Sequence, residues 1–362
     1  MTDAVKLKVS NNKDTTKLPI LLIVFAISAT CFVCLPLFLS RSSIQELFQL
    51  FVLMTLAFHW NILAGYAGLM SVGQQAFVGL GAYIVFVLAI HTDVNVIAAI
   101  VIAAVGVAAA AVAFSQFVFR LTGPYFAIGT WVVAEVCRLT IIQFQLFGSG
   151  TGLSLPRRYM SDFPGVSYVK ELLSLKTSAA IDIVIYWVAV LLFLFTVLAI
   201  VKITYSRIGL ALRAIKDNEQ AAESIGINIV SLKRWIYVGA STGFGLIGAI
   251  FFLSVGRVSP DVAFSLLDWT GIIIFIVVIG GIGTLDGPVW GTITYWLLSN
   301  VMSGYGSWYL IVLGVLGIGI MLFKPTGIAG IFRDNLNIDV DAMLKKQLNK
   351  RHLSKSHNRA NQ

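Results

Sequence analysis

Ten apolar runs, each about as long as a helix that crosses a bilayer, follow one another along the chain. They lie at roughly 18–39, 44–64, 72–90, 95–119, 125–147, 181–201, 235–255, 264–282, 287–303 and 306–323. The runs are continuous and do not alternate apolar with polar residues, which argues against a β-barrel. Nor do they carry the polar outer face that a helix covering a soluble core would need. Only 12% of residues are charged and 58% are hydrophobic, whereas a soluble domain carries about 25% charged residues. The expected fold class is therefore all-α: a polytopic helical membrane protein of about ten transmembrane spans, some of them broken by glycine.

Where the charges sit sets an expected orientation. With the N-terminus in the cytosol, nineteen Lys and Arg fall on cytosolic segments and six on external ones, and Arg138 remains within a span. That bias is what the positive-inside rule demands. It also accounts for the formal charge of +9 without a nucleic-acid partner. The expected organisation is a cytosolic tail over 1–17, a permease domain over 18–330 and a basic cytosolic tail over 331–362. The permease domain includes an external loop at 147–180 and a cytosolic loop at 202–234. No cleavable signal peptide is expected, because the first apolar run is too long and lacks a small-residue cleavage site.

The polar stretch "AIKDNEQAAESIGINIVSLKRW", Ala214 to Trp235, stands apart from the apolar runs. Asp217 is placed to act as an N-cap, with Gln220 completing a capping box, and Gly226 as the residue that stops the helix. The expected product is a short cytosolic helix from Asn218 to Ile225. Ala221, Ala222 and Ile225 form its small apolar face, and Glu219 and Glu223 lie elsewhere. Arg207, Arg213 and Lys216 are balanced by Asp217, Glu219 and Glu223. A helix that lies on anionic lipid is basic on its polar side. This one fits a protein socket better, against the alternative of an ordinary solvated connector.

Glycine interrupts the apolar pattern twice. Gly65, Gly68, Gly73, Gly79 and Gly81 crowd the stretch from Asn61 to Tyr83, with Gln74 and Gln75 between them; a second cluster runs from Gly280 to Gly291. Glycines let helices approach closely or break, and two amides at membrane depth should face a bundle interior or a water-filled path. A pair of broken segments is the pattern expected beside a translocation path, so Gly68, Gln74, Gln75, Gly79, Gly281 and Gly283 are its candidate residues. Tight helix packing is the alternative for any one glycine.

Glu135 and Arg138, at i and i+3 within the fifth span, can meet on one helix face. An intramembrane ionisable group is a candidate for function, against the reading of a mutually neutralising structural pair. His59 reads as a packed, hydrogen-bonded residue. Cys31 and Cys34 form a C-x-x-C pair but sit in an apolar run with no second pair, and read as small helix residues rather than a metal or redox site. No catalytic residue and no metal site is expected, because the chain has no phosphate-loop motif and no H-E-x-x-H.

Four segments carry a resemblance. "NILAGYAGLMSVGQQAFVGLGAY" (61–83), "RLTGPYFAIGTWVVAEV" (120–136), "SRIGLALRAIKDNEQAAESIGIN" (206–228) and "VVIGGIGTLDGPVWG" (277–291) resemble the signatures of the branched-chain amino-acid ABC permease family, LivM type. They appear in that family's order and spacing, over about residues 20–330. Similar permeases serve urea, short amides and aromatic acids. Within the third segment, Gln220-Ala221-Ala222 followed by Gly226 resembles the E-A-A-x-x-x-G coupling loop of ABC importers, with Gln220 departing from its Glu. The resemblance implies that Asp217, Glu219, Gln220, Ala221, Ala222 and Gly226 couple to a cytosolic ATPase. It also implies a second related permease, two ATPase subunits that hold the ATP, and a periplasmic binding protein that meets the 147–180 loop, with Arg157 and Arg158 facing it. The expected location is a bacterial inner membrane, and no cofactor is expected in this chain. A secondary transporter or channel working alone is the competing class.

Overall fold

The structure, a computed structural model, describes residues 30–336 apart from 93, 303, 305, 307 and 325. The N-terminal tail, the start of the first apolar run and most of the basic C-terminal tail lie outside the described residues.

The first long helix, α1 (Arg41–Asn61), starts where Ser40 turns extended and its side chain accepts the Ser43 N–H. It runs directly into a π-helical turn, Ile62–Tyr66. There follow α2 (Gln75–His91), α3 (Val96–Val118, capped by Asn95) and α4 (Pro124–Gln143, with proline in its first turn). A polar segment then folds as a two-residue strand β1 (Leu153–Ser154) and two short helices, α5 (Arg157–Ser161) and α6 (Val166–Leu173). Helix α7 (Thr177–Thr204) returns across the bundle, and the loop at its far end holds α8 (Arg207–Asp217) and α9 (Glu219–Ser224). Helix α10 (Ile229–Val255) leads to β2 (Arg257–Val258) and α11 (Pro260–Ala263). A second π-helical turn (Leu266–Gly271) opens into α12 (Ile272–Gly280), followed by α13 (Gly287–Val301), α14 (Trp308–Phe323) and α15 (Gly327–Leu336).

The fold class is all-helical, as expected; the count of ten spans is not confirmed. Among the described residues, six helical segments are long and apolar enough to cross a membrane, and two more, Gln75–His91 and Ile311–Phe323, are apolar but shorter. Hydropathy misses the difference because a run keeps its apolar character where the helix inside it is cut short by a loop. Residues 67–74 show this: they lie in a predicted span and its approach, yet leave the helix and let α2 begin only at Gln75.

Helix α10 is the hub. It packs on α2, α3, α1 and α7, while α1 also packs on α7 and α12 packs on α13. At the α2–α10 crossing a Cβ on Gly81 would strike the Gly245 main chain, so only glycine permits this approach. Helices α3 and α4 are different. Only 28% of the apolar stretch of each is covered by the chain, against 67% for α10, so their outer faces are left to lipid or to another protein.

The two ends of the bundle are distinct. At one end β1 pairs antiparallel with β2, Leu153 opposite Val258, and Arg41 forms an ion pair with Asp182. At the other end the α8–α9 loop meets residues 65 and 283, as described below.

Candidate functional site

The polar loop forms a helix, but its cap differs from the one expected. Asp217 is the last residue of α8, not an N-cap. Asn218 takes extended backbone (φ −158°, ψ 110°), and its Oδ1 accepts the Ala221 N–H at 3.0 Å. Asp217 remains helical, with no such turn in its backbone. Gln220 consequently sits one position too early for a capping box. The stop is where the sequence puts it, with Gly226 at φ +85°. The expected small face is not turned inward as a unit: Ala221 is exposed and Ala222 alone is buried. Ala222 is 2% exposed, covered by its own chain, whereas Ile225 is 74% exposed. Glu219 pairs with Lys233 of α10, so the helix is anchored at its first residue.

Lys216, at the end of α8, reaches back to the bundle and donates from Nζ to the Gly65 carbonyl at 2.7 Å. Gly65 lies in the first π-helical turn. One turn earlier, the Asn61 side chain donates to the Thr284 carbonyl at 2.8 Å and accepts the Gly283 N–H at 2.8 Å. Asn61 is 1% exposed. Gly281 and Gly283 have φ of +122° and +80°, conformations that favour glycine. The chain of contacts Lys216–Gly65–Asn61–Gly283 therefore joins the polar loop to both glycine-rich breaks. Neither Asn61 nor Lys216 stood out as a site residue in the sequence. Asn61 opened a resembling segment, and Lys216 counted only as charge.

Gln74 and Gln75 face the bundle interior, 0% and 1% exposed. Gln74 donates to Ser71 at 2.9 Å, and Ser241 of α10 lies 3.4 Å from its carbonyl oxygen. Gln75 is paired twice with Thr270 of the second π-helical turn: its N–H donates to Oγ1 at 3.1 Å, and the Thr270 hydroxyl donates to Oε1. In apolar surroundings such bonds are worth about 0.6–2 kcal/mol. In this conformation the amides tie α2 to its neighbours. Gly79 lies under the Phe264 ring, which a Cβ there would strike. Gly68 lines a cavity of about 520 Å³, whose wall also includes Leu121, Pro124, Glu219 and Lys233. A residue assigned to the path and one assigned to coupling thus meet at one opening.

Glu135 and Arg138 are paired, Nη2 to Oε1 at 2.6 Å. A third member was not foreseen: Arg138 Nη1 donates to Asp261 of α11 at 2.7 Å. His59 is packed as expected, Nδ1 lying 2.8 Å from the Thr55 carbonyl oxygen, and Gly243 lies under its ring. The three cysteines are free thiols, Cys137 buried and the other two exposed. Among the described residues no three His, Cys, Asp or Glu side chains gather as a metal site.

A bundle of apolar helices of this kind, its breaks tied to a polar loop, defines a multi-pass membrane protein. Residues 43–322 match the family described as the branched-chain amino acid transport system / permease component. The chain belongs to that family. It is 23% identical over 322 residues to the high-affinity branched-chain amino acid transport system permease protein LivM of Salmonella typhimurium, covering 84% of this chain and 73% of that protein. It is 24% identical over 314 residues to the LivM protein of Escherichia coli, with the same coverage. A shorter match, 24% over 157 residues, reaches a probable branched-chain amino acid transport permease protein LivM of Methanocaldococcus jannaschii, covering 39% of this chain and 45% of that protein. No solved structure matches.

Proposed function

We propose that this chain is the membrane-spanning permease subunit of an ATP-driven ABC importer. Its solutes are branched-chain amino acids, delivered by a periplasmic binding protein. It works in a bacterial inner membrane with both termini in the cytosol, beside a second related permease and over two ATPase subunits that carry the ATP. The chain itself needs no cofactor.

The observation that carries this reading is the Lys216–Gly65 hydrogen bond, 2.7 Å, continued by the Asn61 clamp on Gly283 and Thr284. A loop that moves with a docked ATPase would pull on both broken segments of the bundle at once. A transporter working alone has no use for such a link and needs a buried carboxylate for ion or proton coupling. The buried polar side chains among the described residues are Thr, Asn, Ser and Gln. The names of the relatives support branched-chain amino acids as the solute.

The test is purification from the native membrane followed by reconstitution. Two ATPase chains and a second permease should accompany this chain, and leucine uptake should require ATP and the cognate binding protein. ATP-independent uptake by the isolated chain would overturn the reading.

A further inference from the structure

The opening beside Gly68 has the size of a small-molecule site. Its volume is about 520 Å³, within the range that ligand pockets occupy. It lies at the polar-loop end, between the 67–74 loop, the α3–α4 turn and the start of α10, and Glu219 of α9 lines one side. A Cβ built on Gly68 or on Gly123 would meet nothing within 4 Å, so both glycines look onto open space.

Two kinds of surface meet in this cavity. Met70, Leu121, Ile229 and Val230 make an apolar wall. Met70, Leu121 and Val230 are 51%, 40% and 50% exposed, so their side chains are free to cover a ligand. The polar part is Lys233, paired with Glu219, and the pairing exhausts neither group. An ammonium carries three donors and a carboxylate about four acceptor sites. Lys233 gives one of its donors to Glu219 Oε1. Its side chain is only 13% exposed, so bulk water does little for the other two, and an ammonium kept from water is costly until its donors are used. Glu219 is 58% exposed and keeps its second oxygen for another donor. The first turn of α4 adds a weaker positive end: no side chain caps it, and Gly123 and Pro124 line the same space. A buried positive group, a more open negative one and an apolar wall are complementary to a zwitterion with an apolar side chain.

We propose that this cavity is a regulatory site for an apolar amino acid, entered from the polar-loop side. The ligand's carboxylate meets Lys233 and the first turn of α4, its ammonium group meets Glu219, and its side chain lies on the apolar wall. Glu219 is the first residue of α9. A ligand held between it, the 67–74 loop and α4 ties α9 to the bundle at a second place, besides the Lys216–Gly65 bond. Solute accumulated on this side therefore restrains the loop and slows further import. This inference rests on the import reading above, in which the polar-loop side is the cytosol.

The experiment uses the complex of both permeases and the ATPases, reconstituted with the polar loops and ATP in the vesicle lumen, and leucine as the probe. In wild type, unlabelled leucine trapped in the lumen should lower the initial rate of binding-protein-dependent uptake at least about fivefold. Ala127→Phe and Val230→Trp fill the cavity from two different helices. Both should take up leucine at the wild-type rate with ATP alone in the lumen, and both should lose the luminal effect. Direct binding is measured on the same complex in nanodiscs without binding protein. Leucine should bind wild type, and Lys233→Met and both filling variants at least about tenfold more weakly. As competitors, 4-methylpentanoate and isopentylamine, which each lack one charged group, should be at least about tenfold weaker than leucine. Luminal inhibition that is absent in wild type or persists in the filling variants overturns the proposal. So does 4-methylpentanoate competing as well as leucine, or no leucine binding by wild type, the result expected if lipid or another subunit fills the cavity. Wild-type uptake with ATP alone in the lumen separates the two readings. If it is absent the transport reading itself falls and the binding measurements alone decide the site; if it is present, only the site is at stake.

Discussion

Gly81 and Gly226 are both indispensable glycines on physical grounds, but for different reasons and with different expected phenotypes. At Gly81 a methyl group would meet the Gly245 main chain, and neither helix can yield without opening the α2–α10 crossing. Overpacking of this kind costs about 1–3 kcal/mol. Gly81→Ala should therefore lower the amount of folded protein in the membrane and its melting temperature in detergent; a normal melting curve would show that the crossing relaxes freely. At Gly226 a Cβ would meet nothing within 4 Å, and only φ +85° resists substitution. Gly226→Val should cost about 1–2 kcal/mol locally and leave abundance unchanged, while uptake and solute-stimulated ATP hydrolysis fall together. Ala222→Trp belongs with Gly81 rather than with Gly226, because Ala222 is covered by its own chain; abundance should fall first. The glycine stop was legible in the sequence because Gly after a short helix has one common use. The cap was not, because Asp217 and Asn218 are adjacent and both favour that role, so only the backbone decides between them.

Helices are the scale at which the sequence speaks most clearly here. Each long apolar helix overlaps an expected run, since apolar length is the signal itself. The π-helical turns at Ile62–Tyr66 and Leu266–Gly271 left no trace, because one extra residue in a turn changes neither composition nor hydropathy. The two-residue strands are too short to show alternation. Gln74 and Gln75 turn inward, and their bonds to Ser241 and Thr270 were not legible because they depend on contacts far apart in sequence. The α8–α9 loop meets the bundle at Lys216, whose Nζ donates to the Gly65 carbonyl. Lys216→Met should reduce leucine uptake per ATP hydrolysed several-fold, about what the loss of one charge-assisted hydrogen bond implies, with little change in abundance. Lys216→Arg should recover most of the coupling. The measurement is the ratio of uptake to hydrolysis in reconstituted vesicles, and an unchanged ratio in Lys216→Met would remove the link from the coupling route.

For the whole molecule, the arrangement of the ends predicts sidedness. Glu171, exposed on α6 at the β1–β2 end, and Glu219, exposed at the polar-loop end, should lie on opposite faces of the membrane. In a cysteine-free background, Glu171→Cys should react with an impermeant maleimide in intact cells, and Glu219→Cys only after the cells are opened. Reaction of both from outside would invalidate the alternation on which the span assignment rests. The weakly covered α3 and α4 faces make the same point about assembly. Trp131 and Val136 stay exposed in the single chain, and residues introduced there as Cys should cross-link to a neighbouring permease. The number of crossings was the least legible quantity, because hydropathy averages over the loop at 67–74 that delays α2.

The first π-helical turn has a rotational consequence. A turn that holds one residue too many can shed it, and a residue in an α-helix occupies about 100° of arc. Gly65, held by Lys216, lies within this turn, and Asn61, held to Gly283, lies immediately before it. If the turn tightened to α geometry while Lys216 kept its grip, the Asn61 amide would swing away from residues 283 and 284. If Asn61 held instead, the pull would return to α8. A single residue of slip in this turn would therefore be felt at one of its two anchors, Lys216 or Gly283.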